Sequence, residues 1–123
     1  PAEPEGFDDV ARSLAVGHHV NNCLPSGSIC DAIVTPTPGK LTFPILKDHC
    51  SKGFAVSEDE VLRAMAQAFL RLKLVIEPGG AVALATALFR PEEISGDTVI
   101  VVASGGNVDH EVFARALNTL RNL

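Results

Sequence analysis

The chain has no apolar run approaching the roughly 20 residues needed to cross a bilayer. Its opening, PAEPEGFDDV, lacks both the basic start and the apolar core of a signal peptide. No membrane partner is expected, and the expected localisation is cytoplasmic. Nor is there a basic excess: the formal charge is −5, whereas a surface for nucleic acid needs clustered Lys and Arg. Cysteine is scarce, and Cys23, Cys30 and Cys50 form no CxxC pair. That argues against a zinc site or a disulfide framework and leaves reduced thiols as the expectation. No internal repeat or low-complexity tract interrupts the chain. What remains is 123 residues, 46% hydrophobic and 20% charged, the composition of one globular domain with a real core.

The apolar pattern predicts helices and strands in alternation. DDVARSLAV opens with two acids that complement a helix dipole, which predicts a short helix over 8–16 stopped by Gly17. From Asn22 to Pro44 the chain is punctuated by Pro25, Gly27, Pro36, Pro38 and Gly39. An irregular segment of that length is usually functional, or packs against something outside the chain. A helix is expected over 43–50 and a brief strand over 53–56. Ser57 with Glu60 forms a capping box, and Val61, Ala64, Met65, Ala68, Phe69 and Leu72 follow as one apolar stripe. Pro78 suits the first position of the next helix. That helix is apolar on nearly every side from Ala81 to Phe89, the mark of a buried one. Thr98 to Ala103 reads as a strand covered on both faces, as in a parallel sheet, and Val112 to Leu120 as a final amphipathic helix. The fold class is α/β with flanking helices, and the parallel sheet is incomplete because so few strands are visible.

Three stretches carry candidate chemistry. Ser104-Gly105-Gly106-Asn107 follows the predicted strand, where open α/β sheets place ligands. It is either a polar contact to a bound heterocycle or phosphate, or a turn between strand and helix. Ser104 lacks the GxSxG setting of a hydrolase nucleophile. Glu77-Pro78-Gly79-Gly80 opens the buried helix, whose first N–H groups are unpaired. Glu77 either caps that helix or meets a ligand or cation, since a carboxylate is costly to bury alone. EPEGFDD gathers Glu3, Glu5, Asp8 and Asp9 beside a glycine. These are either acids at a helix start or oxygen ligands for a hard cation. His18 and His19 are adjacent and diverge on any regular element, so a solvated helix end is the expectation for them.

In order, EPEGFDDVARSL, SICDAI, TPGKLTF, VSEDEVLRAMAQAFLRLKLVIEPGGAVALA and VIVVASGGNVD make the chain resemble the C-terminal part of the serine/threonine dehydratases. These are fold-type II pyridoxal-phosphate (PLP) enzymes that include serine racemase. The resemblance implies the C-terminal portion of the large domain of such an enzyme, similar to the tryptophan synthase β fold. It implies that Ser104 hydrogen-bonds the pyridine nitrogen of PLP, with Gly105, Gly106 and Asn107 in the same motif, and that Glu77 lies beside the cofactor ring. Asp31 and Ala32 fall where the family approaches the substrate side. Racemase-like members bind a divalent cation in the acidic stretch, which here puts Mg²⁺, Mn²⁺ or Ca²⁺ on Glu3, Asp9 and the carbonyl of Phe7.

The resemblance also implies what the chain lacks. The family's Schiff-base lysine sits in an SFKxRGA-like motif and its phosphate in a GGGGL-like loop, and neither occurs here. Lys40, Lys47, Lys52 and Lys73 stand in other contexts, and Lys40 replaces an acid common in TPGEL-like relatives. Residues 1–123 are therefore expected to be a C-terminal fragment, catalytically inactive alone, that needs the missing N-terminal half and as a whole forms a homodimer. The implied reaction is β-elimination and deamination of L-threonine or L-serine to a 2-oxo acid and ammonia. The alternatives are serine racemase or 3-hydroxyaspartate dehydratase activity, or a non-catalytic regulatory module.

Overall fold

The computed structural model describes residues 1–122. Its elements are β1 (Ala2–Pro4), α1 (Asp9–Val16), α2 (Thr42–His49), β2 (Phe54–Val56), α3 (Glu58–Gln67), α4 (Pro78–Phe89) and α5 (His110–Asn118). β1 and β2 pair in parallel, with Ala2 opposite Phe54 and Pro4 opposite Val56. β1 has no apolar pattern to announce it, being bounded by Pro1 and Pro4, and it exists because β2 accepts it. α4 lies between this small sheet and α3, and α5 closes the other side of α3. The core is the seam among them: Val56, Val61, Ala64, Met65, Ala81, Ala85 and Ala116 are fully buried. No helix among the described residues is long and apolar enough to cross a membrane.

Local signals account for most boundaries. α1 ends where Gly17 takes φ 80°, with its N–H returning to Ser13 O at 2.8 Å; glycine adopts that left-handed geometry without steric cost. α3 begins on the predicted capping box, in which Ser57 Oγ accepts from Glu60 N and the Glu60 carboxylate accepts from Ser57 N. Pro78 is the first residue of α4, and most of that helix is buried, including Thr86, whose hydroxyl donates to Val82 O at 3.0 Å. Cys23, Cys30 and Cys50 are free thiols. His18 and His19 are exposed, and the His19 ring tilts against Phe43 with centroids 4.6 Å apart.

Two expectations are corrected. The stripe on α3 holds only as far as Ala68, because residues Ala68–Leu72 widen into a π-helical turn that ends at Lys73 with φ 60°. A wider turn rotates later side chains off the stripe, and Phe69 and Leu72 are left 40% and 56% exposed. Phe69 still meets Phe113 edge-on, centroids 5.5 Å apart. The second correction is Thr98 to Ala103, which bonds into no ladder among the described residues. Its side chains are uncovered, with Ile100 at 89% and Val102 at 67% exposure. Strand character comes from a paired neighbour, and here the space beside the segment is open. Two recesses, of about 320 and 240 Å³, run between it and β1 over the surface of α4.

Candidate functional site

The SGGN turn and the start of α4 are built against each other. Glu77 N donates to Gly105 O at 3.0 Å. A Cβ on Gly80 would stand 2.8 Å from Gly105 O, and one on Gly106 would stand 2.7 Å from Val75 O. A Cβ on Gly105 would press into the Glu77 carboxylate. These glycines therefore let two backbones touch, which is why Gly-Gly recurs at both turns.

Polar groups stand around this contact. Glu77 occupies the cap position of α4 without a side-chain cap bond, so capping is not its role here. Its carboxylate is half-buried, and Ser104 is exposed. An uncapped helix start presents N–H donors to an anion or a polar ring. On one side of it opens a cleft of about 450 Å³, lined by Asp31, Ala32, Glu77, Gly79 and Asn107 among others. On the other side is the recess of about 320 Å³, which contains Ser104, Glu3 and again Gly79. So the structure brings Glu77, Asn107, Asp31 and Ala32 together and sets Ser104 around the corner of α4. Neither space is lined by a lysine. Lys47 bonds Gly17 O, Lys52 pairs with Glu93, and Lys73 bonds Leu70 O.

Glu3 and Asp9 are both buried, at the junction of β1 and α1. Glu3 caps α1 from outside the helix, accepting from Val10 N at 3.1 Å and Ala11 N at 2.8 Å. Asp9 accepts from the Asn22 amide at 2.7 Å and from the Thr35 hydroxyl at 3.4 Å. Burial pushes the Glu3 carboxyl above its ordinary value; the two N–H donors pull it back, and the charges of Asp9 and Asp8 push it up again. Arg12, the nearby cation, is engaged by Asp8 instead. The donor set therefore suits a hard cation in chemistry, with two carboxylates short of positive charge and an oxygen lone pair to spare on each. No group of three His, Cys, Asp or Glu side chains among the described residues is arranged to hold a metal. Phe7 is buried beside this pair, and its N–H closes a turn onto Pro4 O.

Sequence reasoning missed Asn22 and Glu58. Asn22 bridges Asp9 to Thr35 O, and Glu58 takes Ile29 N at 2.8 Å. Neither has a local signal, since each acts across a long stretch of chain.

A glycine turn packed on an uncapped helix start, with a cleft beside it, is the kind of arrangement at which α/β proteins place ligands. Its particular kind is set by comparison. Residues 1–105 match the family described as "Pyridoxal-phosphate dependent enzyme", and the chain belongs to that family. It is 40% identical over 121 residues to a serine racemase of Dictyostelium discoideum, covering 95% of this chain and 37% of that protein. It is 38% identical to a beta-hydroxyaspartate dehydratase of Paracoccus denitrificans, covering 88% of this chain and 34% of the relative. Among solved structures, a threonine deaminase from T.th. superposes with a TM-score of 0.81 at 37% identity, over 87% of this chain and 38% of that one. The Dictyostelium serine racemase structure gives a TM-score of 0.75 at 40% identity, over 88% and 34% of the two chains. The chain thus spans little more than a third of the length of these relatives.

Proposed function

We propose that residues 1–123 form one wall of the active site of a PLP-dependent enzyme acting on hydroxyamino acids, and that a lysine-bearing segment outside them completes it. The favoured reaction is β-elimination and deamination of L-threonine or L-serine, giving a 2-oxo acid and ammonia. Serine racemisation and 3-hydroxyaspartate dehydration are the alternatives, each named among the relatives. The carrying observation is the pair of turns in contact, which sets the exposed Ser104 and Glu77, which makes no side-chain cap bond, on either side of the start of α4. The exposed segment 98–103 and the recess beside it fit a further strand supplied by the rest of the enzyme.

PLP, when bound, supplies an electron sink for the substrate's α-carbon. The chain's part is to hold and orient. Ser104 would offer a neutral hydroxyl to the ring nitrogen, and such a group would not keep that nitrogen protonated as an aspartate would. Glu77 would lie beside the ring, while Gly105, Gly106 and Asn107 shape the turn that carries Ser104. Asp31 and Ala32 form the substrate side of the cleft. Glu3, Asp9 and the Phe7 carbonyl belong to the same proposal as a Mg²⁺, Mn²⁺ or Ca²⁺ site, and the expected sign of it is a rise in Tm on adding the cation that Glu3→Gln abolishes. The intact enzyme is expected to be a cytoplasmic homodimer.

The test is a kinetic comparison of intact enzyme with Ser104→Ala, assayed with threonine, serine and 3-hydroxyaspartate, and by chiral analysis of serine. A loss of roughly tenfold or more in kcat/KM is expected from removing a contact to the cofactor. Unchanged kinetics would remove Ser104 from the site. Turnover of threonine by residues 1–123 with PLP alone would refute the need for a further segment.

A further inference from the structure

The loop from Asn22 to Pro36 starts and ends at one point. Asn22 N donates to Pro36 O at 2.8 Å, and the Asn22 amide donates to Thr35 O at 2.7 Å and to Asp9 Oδ1 at 2.7 Å. The Arg12 guanidinium donates to Asn22 Oδ1, so every polar group of the Asn22 side chain is engaged. Asp9 is fully buried and has no cationic partner among the described residues. Its charge rests on Asn22 and on the longer contact from Thr35, and a buried carboxylate depends strongly on such donors. Beyond this neck the loop packs inward: Cys30 is fully buried, and Ile29 N reaches Glu58. Ala32 and Ile33 lie against Gly79, with Ile33 Cγ2 only 3.3 Å from where a Cβ would be. A compact loop with joined ends and an inward-packed tip is an Ω-loop. This one supplies Asp31 and Ala32 to the cleft.

We infer that Asn22 is a positioning residue, which ties the buried Asp9 carboxylate to the neck of loop 22–36 and so holds the Asp31–Ile33 turn in place as a wall of the cleft. Only the assignment of that wall to the substrate side rests on the function proposed above. Losing the Asn22 side-chain amide leaves only the backbone bond to Pro36 O at the neck and under-satisfies a buried charge in one stroke, whereas losing the Thr35 hydroxyl removes only the longer bond.

Cys30 reports the state of the loop. Burial pushes its thiol up to about 11, and the thiolate is the reactive form. A seated loop therefore keeps it inert while the exposed Cys23 reacts. The experiment is peptide-resolved thiol labelling of the intact polypeptide that carries this chain, at pH 8 in chelator, for wild type, Asn22→Ala and Thr35→Val. Asn22→Ala is expected to speed Cys30 labelling on the order of tenfold or more, the effect of losing a charge-assisted bond on a local opening equilibrium. Cys50, outside the loop, should keep its wild-type rate. Cys30 protection that stays at the wild-type level in folded Asn22→Ala overturns the inference. If Asn22→Ala does not fold, Thr35→Val decides, with a rise of about two- to fivefold expected and no rise refuting. In the PLP-loaded enzyme, Asn22→Ala should raise KM more than it lowers kcat. A freed Cys30 with unchanged KM would uphold the latch and instead remove Asp31 and Ala32 from the substrate side.

Discussion

Gly80→Ala sets two opposed effects against each other, and the structure decides which wins. At an ordinary helical position alanine is favoured over glycine by up to about 1 kcal/mol. Here the added Cβ would stand 2.8 Å from Gly105 O and 3.0 Å from Gly105 N, and both atoms are backbone. No rotamer change relieves that clash; the SGGN turn has to withdraw. Withdrawal gives up the 3.0 Å bond from Glu77 N to Gly105 O, worth about 1 kcal/mol, on top of the roughly 1–3 kcal/mol typical of an overpacked site. After subtracting the helix preference, the net cost is about 1–3 kcal/mol. Urea unfolding followed by circular dichroism measures it directly. Gly79→Ala is the internal control, since its Cβ would meet side chains, Ile33 Cγ2 at 3.3 Å and Ala32 Cβ at 3.6 Å, which can yield. Its change is expected to stay within about 1 kcal/mol. A Gly80→Ala protein more stable than wild type would mean that the two turns do not touch, and the site built on their contact would fall.

Further tests address the start of α3, its charge and the uncovered segment 98–103. Ser57→Ala removes the hydroxyl half of the capping box of α3 and should cost about 1 kcal/mol in urea unfolding; no loss would refute the capping geometry. Burial alone would raise the Glu60 carboxyl, but the Ser57 N–H and Arg90 outweigh it and hold it below the ordinary carboxylate range. A carboxyl that is lower in the folded than in the unfolded chain contributes stability above the unfolded value of about 4.3, and that stability is lost as pH falls through the folded value. The cost of Glu60→Gln should therefore shrink between pH 7 and pH 3, and a pH-independent cost would refute the assignment. Ile100 is 89% exposed, so Ile100→Lys should change the stability of residues 1–123 by no more than about 0.5 kcal/mol. If a longer polypeptide supplies the proposed neighbouring strand, the same change there should cost several times more, and equal effects in both would deny that such a strand covers the segment.

Helix signals were legible where they were local. The capping box at Ser57 and Glu60, Pro78 at the first turn of α4 and the stop at Gly17 all depend on residues within a few positions of each other. β1 was not legible, because Ala2–Pro4 becomes a strand only through its register with β2. The π-helical turn after Gln67 was hidden for a related reason: apolar spacing assumes a constant period, and Ala68–Leu72 change it. The motif glycines singled out the two turns but not the contact between them. Nothing in a linear reading says that Gly80 faces Gly105, or that Asn22 reaches back to Asp9.

That contact changes what the glycines mean. A glycine turn at the end of a strand invites the view that missing side chains make room for a ligand. At Gly80, Gly105 and Gly106 the room is taken by the chain's own atoms: Gly105, Glu77 and Val75 respectively. The glycines act one step earlier, by locking the end of the 98–103 segment to the start of a buried helix. Ser104 then stands at a set place relative to the α4 N-terminus, although the segment that carries it has no ladder of its own among the described residues. In the proposed role, a hydroxyl that is to meet a ring nitrogen would need that anchoring more than clearance, because hydrogen-bond strength falls steeply with misalignment. The most strand-like stretch of the chain is thus held at its tip by one turn-to-turn contact, and it leaves its flank open to whatever completes the sheet.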